Sequence, residues 1–304
     1  SISADLVLTP ELSLWGYPAN DLLLKNNLIK NQYQILDQLA LVINKKYGNL
    51  SITVGIAEII NDSFFPNLYN SIALLERGEW KIIARKIILP TYEVFDEKRY
   101  FRSEEKVSVL TKEIHNKTWR IGFTICEDLW VNKNIEGRGI HKKNPISDLK
   151  KKKVDILVNL SASPYTFKKL ELRSKVSSFA AKYLQVPLIY VNQIGANDNL
   201  IFDGNSFILD KNGSKIKQLK SFSEDLSSWH IEQTIPEKKE FEQSEISSIF
   251  DALVLGVRDY AQKCGFKTAL IGLSGGIDSA LVSAIATAAL GSNNIYCVSM
   301  PSKW

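Results

Sequence analysis

The chain has 304 residues, enough for one large domain or two ordinary ones. Apolar residues make up 45%, charged residues 23% and aromatics 10%, a profile that excludes disorder and collagen-like repeats. The formal charge is only +5, no apolar run reaches the roughly 18–20 residues that span a bilayer, and three scattered cysteines speak against a disulfide framework and for a reducing, cytoplasmic setting.

The chain opens at Ser1 directly on a strand-like run, Asp5–Leu8, and both its ends are expected to cut into folds. A helical pattern follows over Asn20–Lys46, with Leu22, Leu23, Leu28, Ile29, Ile35, Leu36, Leu39, Ala40 and Ile43 as its apolar positions. Strand-length β-branched runs come next at Ile52–Ala57, Ser71–Leu75, Trp80–Ile87 and Trp119–Ile125. The basic run Lys150–Lys153 lacks interleaved aromatics and reads as a solvated helix end rather than a nucleic-acid contact. After it come a strand at Val154–Leu160, a helix at Lys169–Leu184 with Leu172, Val176, Phe179, Ala180 and Tyr183 on one face, and strands at Pro187–Val191, Asn205–Leu209 and Leu226–Ile231. This is a mixed α/β pattern.

Residues 233–243 are polar, contain Pro236 and have no periodicity, so they read as a linker between a domain over 1–232 and a second over 244–304. The second part offers a helix near Ser244–Cys264 with an apolar stripe of Ile249, Phe250, Leu253, Val257 and Tyr260. A strand at Thr268–Leu273, a glycine turn, a helix at Ile277–Leu290 and a strand at Ile295–Ser299 then make a βαβ unit, the opening of a parallel sheet larger than the remaining residues can build.

Cys126 ends one predicted strand, where a nucleophile would project from a rigid sheet edge beside free backbone N–H groups. A buried structural cysteine fits the same position. His115, His141 and His230 are the only histidines, and none lies in a strand-end motif, so a catalytic base would have to be a carboxylate. Glu11, held between Pro10 and Leu12 after the first strand, is suited to that task, and Lys86 supplies an ammonium for a thiolate or oxyanion.

Glu11, Lys86 and Cys126 sit in the words Pro10-Glu11-Leu12-Ser13-Leu14-Trp15-Gly16-Tyr17-Pro18, Lys86–Phe101 and Ile125-Cys126-Glu127-Asp128-Leu129-Trp130. These resemble the glutaminase branch of the nitrilase, or carbon–nitrogen hydrolase, superfamily. The resemblance implies an α-β-β-α sandwich with Glu11 as general base, Lys86 on the oxyanion and Cys126 forming a γ-glutamyl thioester. It also implies that Tyr92, Glu127, Ser163 and Lys169 hold glutamine and that Glu97 is a second carboxylate near the lysine. Read alone, Tyr92 and Ser163 also suit turns, and Glu97 could pair on the surface with Lys98 or Arg99. The run Ile194–Leu200 before Phe202-Asp203-Gly204 departs from the branch's pattern.

The second motif, Ser274-Gly275-Gly276-Ile277-Asp278-Ser279, joins a strand to a helix. Its glycines let backbone approach phosphate, the helix offers N-terminal N–H groups, and Asp278 beside phosphate calls for Mg²⁺. An ordinary capped turn has similar composition. The hexapeptide resembles the pyrophosphate loop of N-type ATP pyrophosphatases, which implies the beginning of a doubly wound parallel α/β domain of the adenine nucleotide alpha hydrolase type. A nitrilase-type glutaminase before such a loop resembles the glutamine-dependent NAD synthetase family. That implies ATP, Mg²⁺, glutamine and deamido-NAD as ligands, ammonia passing through a shielded tunnel, no nucleic acid or membrane, and a homo-oligomer. A free-standing amidase or nitrilase, and a non-catalytic assembly subunit, stay open at this point.

Overall fold

The computed structural model describes residues 4–60, 64–131, 143–232 and 244–301; the expected linker at 233–243 and His141 lie outside the described residues. Strand β1 (Leu6–Leu8) leads through the turn carrying Glu11 to helix α1 (Asn26–Tyr47) and the antiparallel strands β2 (Ser51–Ile59), β3 (Leu68–Glu76) and β4 (Glu79–Arg85). β1 pairs parallel with β2, giving a four-stranded sheet in the order β1-β2-β3-β4. A second sheet begins with the hairpin β5 (Ser108–Ile114) and β6 (Lys117–Ile125). It continues through α2 (Pro145–Lys151), β7 (Ile156–Ser161), α3 (Lys169–Leu184) and β8 (Leu188–Asn192). After a separate hairpin, β9 (Ile194–Asn197) and β10 (Leu200–Asp203), the strands β11 (Phe207–Leu209) and β12 (Lys215–Gln218) complete the order β12-β11-β8-β7-β6-β5.

Period-2 alternation stacks these sheets into four layers. On β3, Ile72 joins Ala84, Phe123, Ile125 and Val158 between the sheets, while its neighbours Ala73 and Leu75 face α1 with Val54 and Ile56. On β7, Ile156, Val158 and Leu160 fill the same central layer, while Leu157 meets Val176 and Ala180 of α3. The α-β-β-α sandwich therefore follows from strands that are apolar on both faces. α1 buries Ile29, Gln32, Leu36 and Ala40, one stripe at helical spacing. Gln32 is tolerated there because it accepts from Trp15 Nε1 (2.5 Å) and Ala57 N (3.0 Å) and donates to Ala57 O (2.7 Å).

Beyond residue 243, helix α4 (Glu245–Cys264) is capped by Ser244, whose hydroxyl accepts from Ser247 N, and ends at Gly265 with φ of 74°. Strand β13 (Ala269–Leu273), helix α5 (Ile277–Leu290) and strand β14 (Ile295–Ser299) form the predicted parallel βαβ unit.

Several expectations are corrected. Leu226–Ile231 is not a strand: Leu226 is exposed and, among the described residues, the segment has no ladder partner, meeting β12 through Lys217 Nζ on Ser228 O (2.9 Å). β5, β9, β10 and β12 were not expected. α3 presents Arg173, Val176, Ser177, Ala180 and Ala181 to the core, leaving Phe179 and Tyr183 exposed and stacked on each other. The helix is turned by Arg173, whose buried guanidinium reaches Asp203 Oδ1 and Oδ2 at 2.7 and 2.6 Å. The α4 stripe is likewise outward: Ile249, Phe250, Leu253, Val257 and Tyr260 are all exposed, and the helix packs through Ala252, Val254, Leu255 and Ala261. Small residues let it lie close to the β9–β10 hairpin, with Gly256 against Ile201. The Lys150–Lys153 run does end α2 in solvent.

Candidate active site

Three chain segments converge at one end of the sandwich. Glu11 lies in the turn after β1, and that turn sits directly on β2 because residue 55 is glycine. A Cβ there would stand 2.2 Å from Leu12 N, 2.6 Å from Pro10 O and 2.8 Å from the Glu11 carbonyl carbon. Lys86 is the first residue after β4, its N–H donating to Asn70 O (2.8 Å). Cys126 is the first residue after β6 and starts a 3-10 turn with φ of 46°, a left-handed conformation that is unfavourable for a residue with a Cβ.

Glu11, Lys86 and Cys126 are all buried, at 1%, 0% and 5% exposure. The Lys86 ammonium donates to Glu11 Oε1 (2.6 Å) and Glu97 Oε1 (2.7 Å). Glu11 also accepts from Asn70 Nδ2 (2.8 Å) on Oε1 and from Ala162 N (2.9 Å) on Oε2, which fixes its orientation from β3 and from the residue just past β7. Glu97 is therefore a buried partner of the lysine, not a surface mate of Lys98 or Arg99, and it accepts in addition from Tyr17 Oη (2.9 Å).

Burial and charge set the protonation states. Burial works against the Lys86 ammonium, but Glu11 and Glu97 hold it well above its ordinary range, so it stays charged. Burial pushes the Cys126 thiol well above its usual range and the Glu11 carboxylate adds to this, against the pull of Lys86. The resting nucleophile is a neutral thiol whose proton must leave during attack. Burial likewise pushes Glu97 up to about 7, opposed by Lys86. Its Oε2 is buried with no hydrogen-bond partner among the described residues, which leaves room for the proton that burial favours there.

The other expected residues gather around this core. Tyr92 Oη donates to Glu127 Oε2 at 2.8 Å, next in sequence to Cys126. Ser163 is buried after β7, its N–H on Asn192 Oδ1 at 2.9 Å. Lys169 opens α3 with its ammonium 5.2 Å from the centroid of the Trp130 ring. Sequence reasoning missed Asp128, Asn70, Tyr17 and Asn159, which all serve the site from inside. Asn159 Nδ2 donates to Thr124 Oγ1 (3.0 Å) and Cys126 O (3.4 Å). Burial pushes the Asp128 carboxyl up to about 7, opposed by the backbone N–H groups bound to it. Asp128 follows the nucleophile by two residues and Tyr17 stands in the Glu11 word Pro10–Pro18, so both places were usable signals; Asn70 and Asn159 lie where only the fold brings them.

The divergent segment 194–200 forms the β9–β10 hairpin and is held by α4. Asp259 Oδ2 accepts from Ala196 N at 2.6 Å, and Lys263 Nζ donates to Ala196 O.

The glycine turn lies between β13 and α5, with Gly275 at φ of 84° and open space around its Cβ position. Its hydroxyls brace the turn: Ser274 Oγ is 3.2 Å from Ser279 Oγ, which donates to Gly276 O at 3.0 Å. Ser274, Gly275, Gly276, Ile277 and Asp278 are exposed at the N-terminus of α5, where unpaired N–H groups favour an anion. Among the described residues no group of three His, Cys, Asp or Glu side chains could hold a metal ion, and no helix is long and apolar enough to cross a membrane.

Comparison with known proteins agrees with this geometry. Residues 1–239 match the carbon–nitrogen hydrolase family model, and residues 249–304 match that of NAD synthase. The glutamine-dependent NAD(+) synthetase of Synechocystis sp. is 43% identical over 99% of this chain and 54% of its own length. That of Acinetobacter baylyi is 38% identical over 98% of the chain and 52% of its own. The glutamine-dependent NAD+ synthetase of Acinetobacter baumannii, solved with ADP, superposes with a TM-score of 0.84 at 36% identity, covering 98% of this chain and 53% of that one. A Nesterenkonia amidase of the nitrilase superfamily shares the fold, with a TM-score of 0.56 at 17% identity over 71% of this chain and 74% of its own. The chain spans about half the length of the curated relatives it matches. Through residues 1–239, which hold the buried Glu-Lys-Cys cluster, the chain belongs to the carbon–nitrogen hydrolase family.

Proposed function

We propose that this chain is the glutamine-hydrolysing part, joined to the opening of the ligase part, of a glutamine-dependent NAD synthetase. The observation that carries the reading is the buried cluster in which Lys86 bonds both Glu11 and Glu97, with Cys126 buried at the same end of the sandwich. The domain division at 232 and 244 belongs to the same proposal.

Cys126 Sγ attacks the side-chain amide carbon of glutamine while Glu11 takes its proton. The Lys86 ammonium and a backbone N–H of the turn after Cys126 stabilise the oxyanion. The proton passes to the leaving nitrogen, ammonia departs, and water cleaves the γ-glutamyl thioester to glutamate. Tyr92, Glu127, Ser163 and Lys169 hold the amino-acid end of glutamine, Glu127 and Lys169 offering opposite charges to its ammonium and carboxylate.

In the second part, Ser274–Ser279 cradles the pyrophosphate of ATP. Asp278, exposed in the first turn of α5, would hold Mg²⁺ together with phosphate oxygens, since no protein cluster among the described residues suffices alone. When bound, Mg²⁺ neutralises phosphate charge as AMP is transferred to the carboxylate of deamido-NAD. Ammonia then displaces AMP to give NAD, and its transfer along a shielded tunnel keeps it unprotonated. Cytoplasmic location and homo-oligomeric assembly complete the reading.

The test uses the chain joined to a complete synthetase domain, assayed for ATP-dependent conversion of deamido-NAD to NAD. Cys126→Ala should abolish the reaction with glutamine and spare it with ammonia. Loss of both, or of neither, contradicts the proposal.

A further inference from the structure

Asp128 is a carboxylate for which the chemistry above has no use. It is 1% exposed, and its three hydrogen bonds all come from backbone N–H groups. Oδ1 accepts from Ile87 N (3.0 Å) and Ile88 N (2.7 Å), and Oδ2 accepts from Ile125 N (3.0 Å). A buried carboxylate without a hydrogen-bonded cation is costly and is found where its acceptors are all used.

The position of those donors matters. Ile87 and Ile88 directly follow Lys86 past the end of β4, and Ile125 directly precedes Cys126 at the end of β6. β4 belongs to one sheet, paired with β3, and β6 to the other, paired with β5 and β7, so no ladder joins them. One side chain therefore ties the segment carrying the ammonium to the segment carrying the thiol, across the sandwich. The bond to Ile125 N also braces the turn in which Cys126 takes its left-handed conformation.

Only a carboxylate meets this demand. Asparagine has one acceptor oxygen, and its amide nitrogen would point at an N–H wherever it was placed. Alanine would leave three buried N–H groups unpaired.

We propose that Asp128 is the positioning residue that sets the facing of Lys86 and Cys126, holding the two groups in register from different sheets. This rests on the glutaminase reading of the site. A displacement near 1 Å between nucleophile and oxyanion partner costs on the order of 100-fold in rate.

The experiment compares wild type, Asp128→Asn and Cys126→Ala in glutamine hydrolysis, with the concentration of competent sites titrated by a glutamine analogue that alkylates the thiol. Asp128→Asn should lower kcat per titrated site by on the order of 100-fold, with KM changed less than about threefold. Iodoacetamide should also modify Cys126 at an altered rate in molecules that circular dichroism reports as folded. A purely structural Asp128 would lower the number of competent sites and the melting temperature but leave kcat per site and the alkylation rate at wild-type values; that result overturns the proposal. If Asp128→Asn does not fold, Asp128→Glu, which keeps three acceptors on a longer arm, should fold and show the same fall in kcat per site; wild-type turnover there also overturns it. Retained hydrolysis in Cys126→Ala would instead overturn the glutaminase reading itself.

Discussion

Gly55→Ala would strike the site without changing any group that reacts. The added Cβ would lie 2.2 Å from Leu12 N and 2.6 Å from Pro10 O, against ordinary contacts of about 3.4–4 Å. Both neighbours are backbone, so no side chain can swing aside, and the turn carrying Glu11 must lift from β2 by about 1 Å. Glu11 would then lose the fit to Lys86, Asn70 and Ala162 N, now at 2.6, 2.8 and 2.9 Å. We expect overpacking to destabilise the protein by about 1–3 kcal/mol and glutamine hydrolysis to fall about 100-fold. For a domain of this size the stability loss corresponds to roughly 2–4 °C in Tm per kcal/mol. Gly48→Ala serves as the control: with φ of 55° and no atom within 4 Å of its Cβ position, it should cost stability by strain and leave hydrolysis unchanged. Steady-state kinetics alongside thermal unfolding decide the matter. If Gly55→Ala loses stability but keeps wild-type turnover, the idea that β2 sets the position of Glu11 is wrong.

Other outcomes follow from the same geometry. Glu97 is raised to about 7 in the fold from a reference near 4.5, so between those values the native state holds a proton that the unfolded chain releases, and stability falls as pH rises through the window. Wild type should therefore lose about 1–3 kcal/mol more than Glu97→Gln between pH 4.5 and 8 in denaturant titrations, and parallel profiles would refute this. Tyr92→Phe removes the 2.8 Å bond to Glu127 and should raise KM for glutamine about fivefold or more with a smaller change in kcat. Arg173→Ala leaves Asp203 buried without its cation and should destabilise by about 3–5 kcal/mol in chemical unfolding; a loss under about 1 kcal/mol would contradict the buried pair. In the chain joined to a complete synthetase domain, Gly275→Ala at φ of 84° should abolish ATP-dependent amidation while glutamine hydrolysis persists.

The sequence was most informative where chemistry sits beside punctuation. Glu11, Lys86 and Cys126 each stand just past a strand of high apolar content, and strand ends can be read from local pattern. Their partners Asn70 and Ala162 could not be read so, because they reach the cluster only through the sheet order, whereas Tyr17 stands in the same word as Glu11. Helix periodicity located α3, α4 and α5 to within a residue or two, but it started α1 six residues early, at Asn20, where a separate 3-10 turn (Asn20–Leu24) precedes the helix proper, and it misjudged the faces of α3 and α4. Size was the misleading signal, because α3 turns to bury Arg173 against Asp203, and α4 docks through Ala252, Leu255 and Gly256 while its larger residues face out. β12 (Lys215–Gln218) and β9 escaped notice because short polar strands at an edge or in a hairpin need little apolar surface.

The central claim, that Cys126 carries the acyl group of glutamine, is tested most directly by acid-quenching the chain during turnover and measuring its mass. The account predicts a covalent adduct of one glutamyl group on the peptide containing Cys126, absent in Cys126→Ala, which should also no longer hydrolyse glutamine. Continued hydrolysis by Cys126→Ala, or an adduct on another residue, would contradict it.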